Sequence, residues 1–278
     1  MDDHSPVAQF GMHTSSAHSV QVASQATGSE LQQRFGHMLV DEGRNLALDP
    51  NAGVEETRQV LLRRAAVYEN VQEYAAAETT LDQAVQLSPP AAAADLARGY
   101  FYMRRGRFTD ALGDFIMATR LAPGDARLHY AAGRAQSALG DHAAAAKLYG
   151  EAIRLAPREP SFYLARAEAR IHLDQAADAR ADYTHAIAMK LQRPTDRYFA
   201  FLGRGYSFLM QADYAGAISD FDNAIALDPA SLNALLWRGY AREKVGQVDL
   251  ALDDYERAVT LDPKDRLARA NVRRLRSN

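Results

Sequence analysis

Apolar and small residues recur along this chain at helical spacing, and the helices they mark recur at a constant interval. "SDFDNAIALDP" occupies residues 219 to 229, and "DDYERAVTLDP" occupies 253 to 263. The two stretches lie 34 residues apart and keep the acid, the aromatic, the alanine and Leu-Asp-Pro in register. Pro89, Pro123 and Pro157 keep the same interval, as do Pro229 and Pro263. Between Pro157 and Pro229 one unit ends without its proline, near Leu191, and carries four extra residues. Six units follow from this spacing.

Small residues confirm the register. One alanine falls at Ala77, Ala111, Ala145, Ala179, Ala217 and Ala251. A second, seven residues on, falls at Ala84, Ala118, Ala152, Ala186, Ala224 and Ala258. Between them stands a bulky residue: Leu81, Phe115, Tyr149, Tyr183, Phe221 or Tyr255. Seven residues make two helical turns, so all three positions share one face. Earlier in each unit another small residue recurs, at Ala65, Gly99, Gly133, Ala167, Gly205 and Gly239. The pattern predicts two closely crossing helices per unit, divided by turns such as "RRGRF" at 104–108, "ALGDH" at 138–142 and "KVGQV" at 244–248. The units span 58–91, 92–125, 126–159, 160–197, 198–231 and 232–263.

This pattern resembles the tetratricopeptide repeat family, over residues 58 to 263. The resemblance implies an all-α fold: a right-handed superhelical solenoid of about six helix-turn-helix repeats with capping helices. Gln72, Asp174 and Ala212 stand where other units place a turn Gly. Those departures bear on the turn geometry and leave the fold expectation unchanged. After Pro263, "KDRLARANVRRLRSN" places Leu267, Ala270 and Leu275 along one stripe and reads as a C-terminal capping helix, 264–278. At the other end, Ser29 and Gln32 have capping-box spacing, and 29–57 reads as a helix or degenerate half-repeat. Residues 1–28 are polar, without the basic start and apolar core of a signal peptide, and read as a disordered tail.

Charge and composition narrow the chemistry. Net charge is −3, so no global charge draws the chain to nucleic acid or anionic lipid. No apolar run approaches the ~18 residues of a membrane span, and a protein of the cytoplasm is expected, or of the periplasm if a signal had been removed. There is no cysteine. The histidines, His4, His13, His18, His37, His129, His142, His172 and His185, never adopt metal-ligand spacing with a carboxylate. "GRGYSF" at 203–208 lacks the third glycine of a dinucleotide fingerprint and lies within a helix. No catalytic residue, metal or cofactor is expected. The last helix region, 264 to 278, carries net +5, read either as a solvated cap complementing the helix dipole or as a patch for an acidic partner.

One charge pattern reads as structural. Arg64, Arg98, Arg166, Arg204 and Arg238 precede the small residue of the first helix, and Asp114, Asp182, Asp220 and Asp254 precede the aromatic of the second. The third unit has lost both, with Ala132 and Leu148, which predicts pairing within a unit.

The resemblance places the first helix of each unit on a concave groove. Its outward positions are Leu96, Tyr100, Met103, Arg104, Arg127, Tyr130 and Arg134 in the second and third units. They are Phe199, Leu202, Tyr206, Leu209 and Met210 in the fifth, and Leu236, Tyr240, Glu243 and Lys244 in the sixth. The expected groove is basic and aromatic in its first half and apolar in its second, with Phe199, Leu202, Tyr206 and Leu209 forming an exposed docking patch. The positions that clamp a terminal carboxylate in the chaperone-binding subgroup hold Leu62, Ala66, Leu96 and Tyr100 here, so that subgroup is not expected. A non-catalytic scaffold binding a protein or peptide segment is the expected function, with self-association into a homo-oligomer as the alternative.

Overall fold

A computed structural model describes residues 52–277. The expected tail and most of the expected N-terminal helix lie outside the described residues. Thirteen helices and no strand occur among them. The chain divides into two compact bodies between Gly140 and Asp141, each taken by itself. The first holds α1 (Val54–Asn70), α2 (Tyr74–Gln86), α3 (Ala92–Arg104), α4 (Phe108–Leu121) and α5 (Ala126–Ala138). The second holds α6 (His142–Leu155), α7 (Pro160–His172), α8 (Ala176–Ala188), α9 (Pro194–Met210), α10 (Tyr214–Leu227), α11 (Leu232–Lys244), α12 (Val248–Leu261) and α13 (Arg266–Arg276). Within each body every helix packs on the next in sequence, and first helices of successive repeats also touch: α1 with α3, and α9 with both α7 and α11.

The pairing rests on the small residues. All twelve alanines of the second helices are fully buried. A Cβ placed on Gly99 would sit 2.5 Å from the Phe115 ring, and the same addition at Gly205 or Gly239 would meet Phe221 or Tyr255 at 2.7 and 2.8 Å. The bulky residue of the second helix therefore occupies the space that the small residue of the first leaves open. Tyr183 differs: its ring lies against Gly203 of the following repeat, and burial raises its phenol well above the usual range.

Local signals set the ends. Asp125, Asp141, Asp213, Ser231 and Asp265 cap the helices that follow them, each accepting a bond from a first-turn backbone N–H. In Leu-Asp-Pro, Asp228 and Asp262 adopt the extended backbone that a following proline demands. Their carboxylates accept from the N–H of Ala230 and Lys264, closing the turn to the next repeat. The tight turns inside repeats need a left-handed residue. Gly106, Gly140 and Gly246 supply it, and Gln72, Asp174 and Ala212 adopt the same conformation at φ of 64°, 57° and 57°. The substitutions thus leave the turn geometry intact and place its strain on residues with a Cβ.

The Arg–Asp expectation is met in detail. Arg98–Asp114, Arg166–Asp182, Arg204–Asp220 and Arg238–Asp254 each form a two-bond fork between the helices of one repeat, at 2.5–3.0 Å. Arg170 and Arg242 add a second guanidinium to Asp182 and Asp254. The remaining nitrogen of Arg98 reaches Asp82, and that of Arg238 reaches Asp222, both on the second helix of the preceding repeat. The arginine thus joins repeats as well as helices. In the first repeat Thr80 replaces the aspartate and turns its hydroxyl back to the Ala76 carbonyl.

The four extra residues enter α9, which has 17 residues against 13 in α7 and α11. Pro194 is its first residue and Arg193, in extended backbone, stands at the cap position. Thr195 is its second residue. At the C-terminus α13 packs on α12. Ala268 is its buried residue, with Leu267, Val272 and Leu275 half-buried, while Ala270, expected on the apolar stripe, faces solvent.

Two outcomes test this account. Ala212→Gly should raise stability by about 0.5–1 kcal/mol, because left-handed strain in Ala exceeds the extra unfolded-state freedom of Gly. A lowered melting temperature would show that Ala212 carries no strain. Asp254→Asn should cost about 3 kcal/mol by taking the buried carboxylate from Arg238 and Arg242 and leaving them only the half-exposed Asp222. The exposed pair Arg154–Glu151 serves as control, and Arg154→Ala should change stability by less than about 0.5 kcal/mol in the same denaturant titration.

Candidate binding faces of the first helices

In the first body the relevant side chains lie on α3 and α5. Leu96 and Tyr100 are half-buried and Arg104 is exposed. The Tyr100 ring meets Phe115 edge-on, with centroids 5.2 Å apart, so the residue that fills the helix crossing also supports it. Arg104 forks onto Glu69 of α1. Arg127 is exposed and folds onto its own cap: its backbone N–H and guanidinium both donate to Asp125. That contact holds the Asp125 carboxyl below its usual range. The Arg127 guanidinium is raised chiefly by Asp125, with the Tyr100 phenol as a smaller contributor across the two helices. Tyr130 is half-buried, and Arg134 is exposed with no hydrogen bond or ion pair among the described residues. On these two helices the three arginines are thus exposed, two of them already paired with carboxylates, and the two tyrosines half-buried.

In the second body the expected docking patch is corrected. Phe199 is 56% exposed, but Leu202, Tyr206 and Leu209 are only 9%, 3% and 3% exposed, and Leu236 only 5%. The cause is packing between first helices. α9 touches α7 and α11 as well as α8 and α10, so the side opposite Gly205 is itself a helix contact. The Tyr206 ring lies 4.9 Å from Trp237 of α11, which in turn approaches Phe221 at 5.8 Å. Met210 and Tyr240 are half-buried, and the Lys244 ammonium sits over the Tyr240 ring at 5.2 Å. Glu243 accepts from Tyr255 and Arg274, both at 2.7 Å. Burial opposes its ionisation, yet these two donors hold its carboxyl below the usual range.

The described histidines lie against neighbouring groups. His129 contacts the Pro123 carbonyl at 3.0 Å. His142 and His172 stack with centroids 4.1 Å apart, and His185 lies 4.5 Å from Tyr163. Burial lowers the His142 pKa, and the facing His172 adds to the effect. Among the described residues no group of three or more His, Cys, Asp or Glu could hold a metal ion. No helix among them is long and apolar enough to cross a membrane. The sequence reading missed a cleft of about 300 Å³ lined by Ile187, Lys190, Leu191, Arg197 and Phe201. The four extra residues were its only signal.

Burial of the corrected patch has a direct consequence. Leu202→Ala with Tyr206→Ala should destabilise the protein by at least about 3 kcal/mol, since both truncations leave cavities. An unchanged urea midpoint would place these side chains in solvent instead.

The sequence profile of the tetratricopeptide repeat matches residues 62–126, 130–191 and 202–266. No curated protein matches. Among solved structures, the fold is similar to that in the APC/C hetero-tetramer Cut9-Hcn1, with a TM-score of 0.64 at 15% identity; the match covers 89% of this chain and 47% of that one, so this chain spans about half its length. It is similar to pilF of Pseudomonas aeruginosa, with a TM-score of 0.65 at 15% identity over 81% of this chain and 99% of that one. It is also similar to YrrB, a protein described as having an unusual peptide-binding site, with a TM-score of 0.60 at 17% identity over 68% and 96%. With the profile matched over most of its length, and with paired helices crossing at Gly99, Gly205 and Gly239, the chain belongs to the tetratricopeptide repeat family.

Proposed function

We propose that the protein is a non-catalytic scaffold that binds a peptide segment of a protein partner across α3 and α5. The observation that carries this reading is the state of Tyr100. Its ring is held by Phe115 yet remains partly open, and it lies close enough to Arg127 to influence that guanidinium. A pre-positioned aromatic loses little entropy on binding, and arginine beside it adds directional donors. Arg134 brings a further cation without an ion pair among the described residues. The segment that fits is extended, with an apolar or aromatic residue against Tyr100 and carboxylates toward the arginines. The family supports a protein or peptide ligand, and the peptide-binding site named for YrrB supports it further.

Selection of a random peptide library against the full chain should yield acidic sequences with an apolar anchor. Tyr100→Ala and Arg134→Glu should each weaken a selected peptide by about tenfold, roughly 1.4 kcal/mol, with the melting temperature unchanged in Arg134→Glu and the helical fold retained in Tyr100→Ala. No enrichment, or an affinity unchanged from the parent chain in both variants, would remove binding from this face.

A further inference from the structure

The extra residues between the fourth and fifth repeats do more than lengthen a helix. They open a cleft of about 300 Å³ between the end of α8 and the start of α9. Ile187, Leu191 and Phe201 form apolar walls, and Lys190 and Arg197 complete the lining. Phe201 shows why the cleft exists here. Four residues before the small residue of the first helix, the fourth and sixth repeats place Tyr163 and Leu235, and both are buried. Phe201 occupies the same position and is only half-buried.

The two cations are the second observation. Lys190 and Arg197 are both exposed, and neither side chain has a hydrogen bond or ion pair among the described residues. Nearby Asp196 is already engaged by Arg193 at 2.8 Å. Lys190 is held in left-handed backbone at φ 57°, and its carbonyl accepts from the Gln192 side chain at 3.2 Å. Left-handed backbone in a lysine, with no turn glycine to relieve it, is a feature that persists only where surrounding structure imposes it. Two unsatisfied cations beside an apolar wall match a carboxylate attached to an apolar group.

We propose that this cleft binds the C-terminal residue of a peptide, an apolar side chain against Phe201, Ile187 and Leu191 with its terminal carboxylate between Lys190 and Arg197. The site lies on α8 and α9 and stands independently of the face on α3 and α5. The cleft is small for a ligand site, which suits one side chain and its carboxylate rather than a folded partner.

Titration of the ¹⁵N-labelled full chain tests it with three probes: acetyl-Ala-Ala-Leu with a free carboxylate, the same peptide as its C-terminal amide, and octanoate. The acid should shift the amides of Ile187, Lys190, Leu191, Arg197 and Phe201 with a Kd of about 1 mM or tighter. The peptide amide should bind at least about fivefold more weakly, because it lacks the charge that the cations recognise. Lys190→Gln with Arg197→Gln should weaken the acid by about tenfold at unchanged melting temperature, since both side chains are exposed. Equal binding of acid and amide, or no shifts at the cleft, overturns the proposal. Binding of octanoate without the peptide acid marks a fatty-acid site and overturns the peptide assignment. Tyr100→Ala should leave these shifts unchanged, which separates failure here from failure of the face on α3 and α5.

Discussion

The close crossing of two helices at a residue with little or no side chain governs the rest of this structure. Where Gly99 faces Phe115 there is no room for a Cβ, so the backbones approach and the ring fills the gap. That approach brings the next residue back along the first helix, an arginine, within fork distance of an aspartate beside the ring. The aspartates are almost wholly buried. A carboxylate so placed is costly unless fully paired, so the arginine is required by the burial that the small residue created. Its spare nitrogen then reaches the previous repeat where an acceptor exists, as at Asp82 and Asp222. Crossing, fork and stacking form one causal sequence.

The third repeat shows the same logic by omission. Ala132 and Leu148 replace the arginine and the aspartate, and Ile116 occupies the position that holds Asp82 and Asp222 in other repeats. All three charged positions are apolar together. Removing the arginine or the aspartate alone would strand a buried charge, whereas replacing both by apolar residues is close to neutral. Arginine and aspartate are thus lost together in this repeat, whereas in the first repeat Thr80 replaces the aspartate alone.

The crossings were legible in the sequence because they are local: alanines seven residues apart, with an aromatic between, describe a helix face wherever the chain goes. The forks were legible because their partners keep the same separation in every repeat that has them. The state of the outward face was not. Tyr100 and Tyr206 hold the same repeat position, yet one is half-buried and the other buried. The difference lies in the neighbouring first helix, where Trp237 of α11 packs on Tyr206, and repeat position says nothing of that neighbour's bulk. The turns failed in the opposite sense. Gln72, Asp174 and Ala212 looked like departures, but the backbone conformation there is set by the closing helix pair, and the side chain accepts the strain.

This division has a consequence for where function can reside. Positions that the repeat specifies strongly are buried, and a buried position cannot meet a partner. Binding must use what the repeat leaves unspecified: outward residues whose neighbours happen to be small, or places where the period breaks. The first condition holds at α3 and α5, where Tyr100 and the arginines stay open. The second holds at the extra residues before α9, where a position buried in neighbouring repeats opens instead. A regular stack needs neither an open aromatic nor cations without partners. An open aromatic beside arginines at the first place, and cations beside an apolar cleft at the second, are therefore features that stacking does not explain.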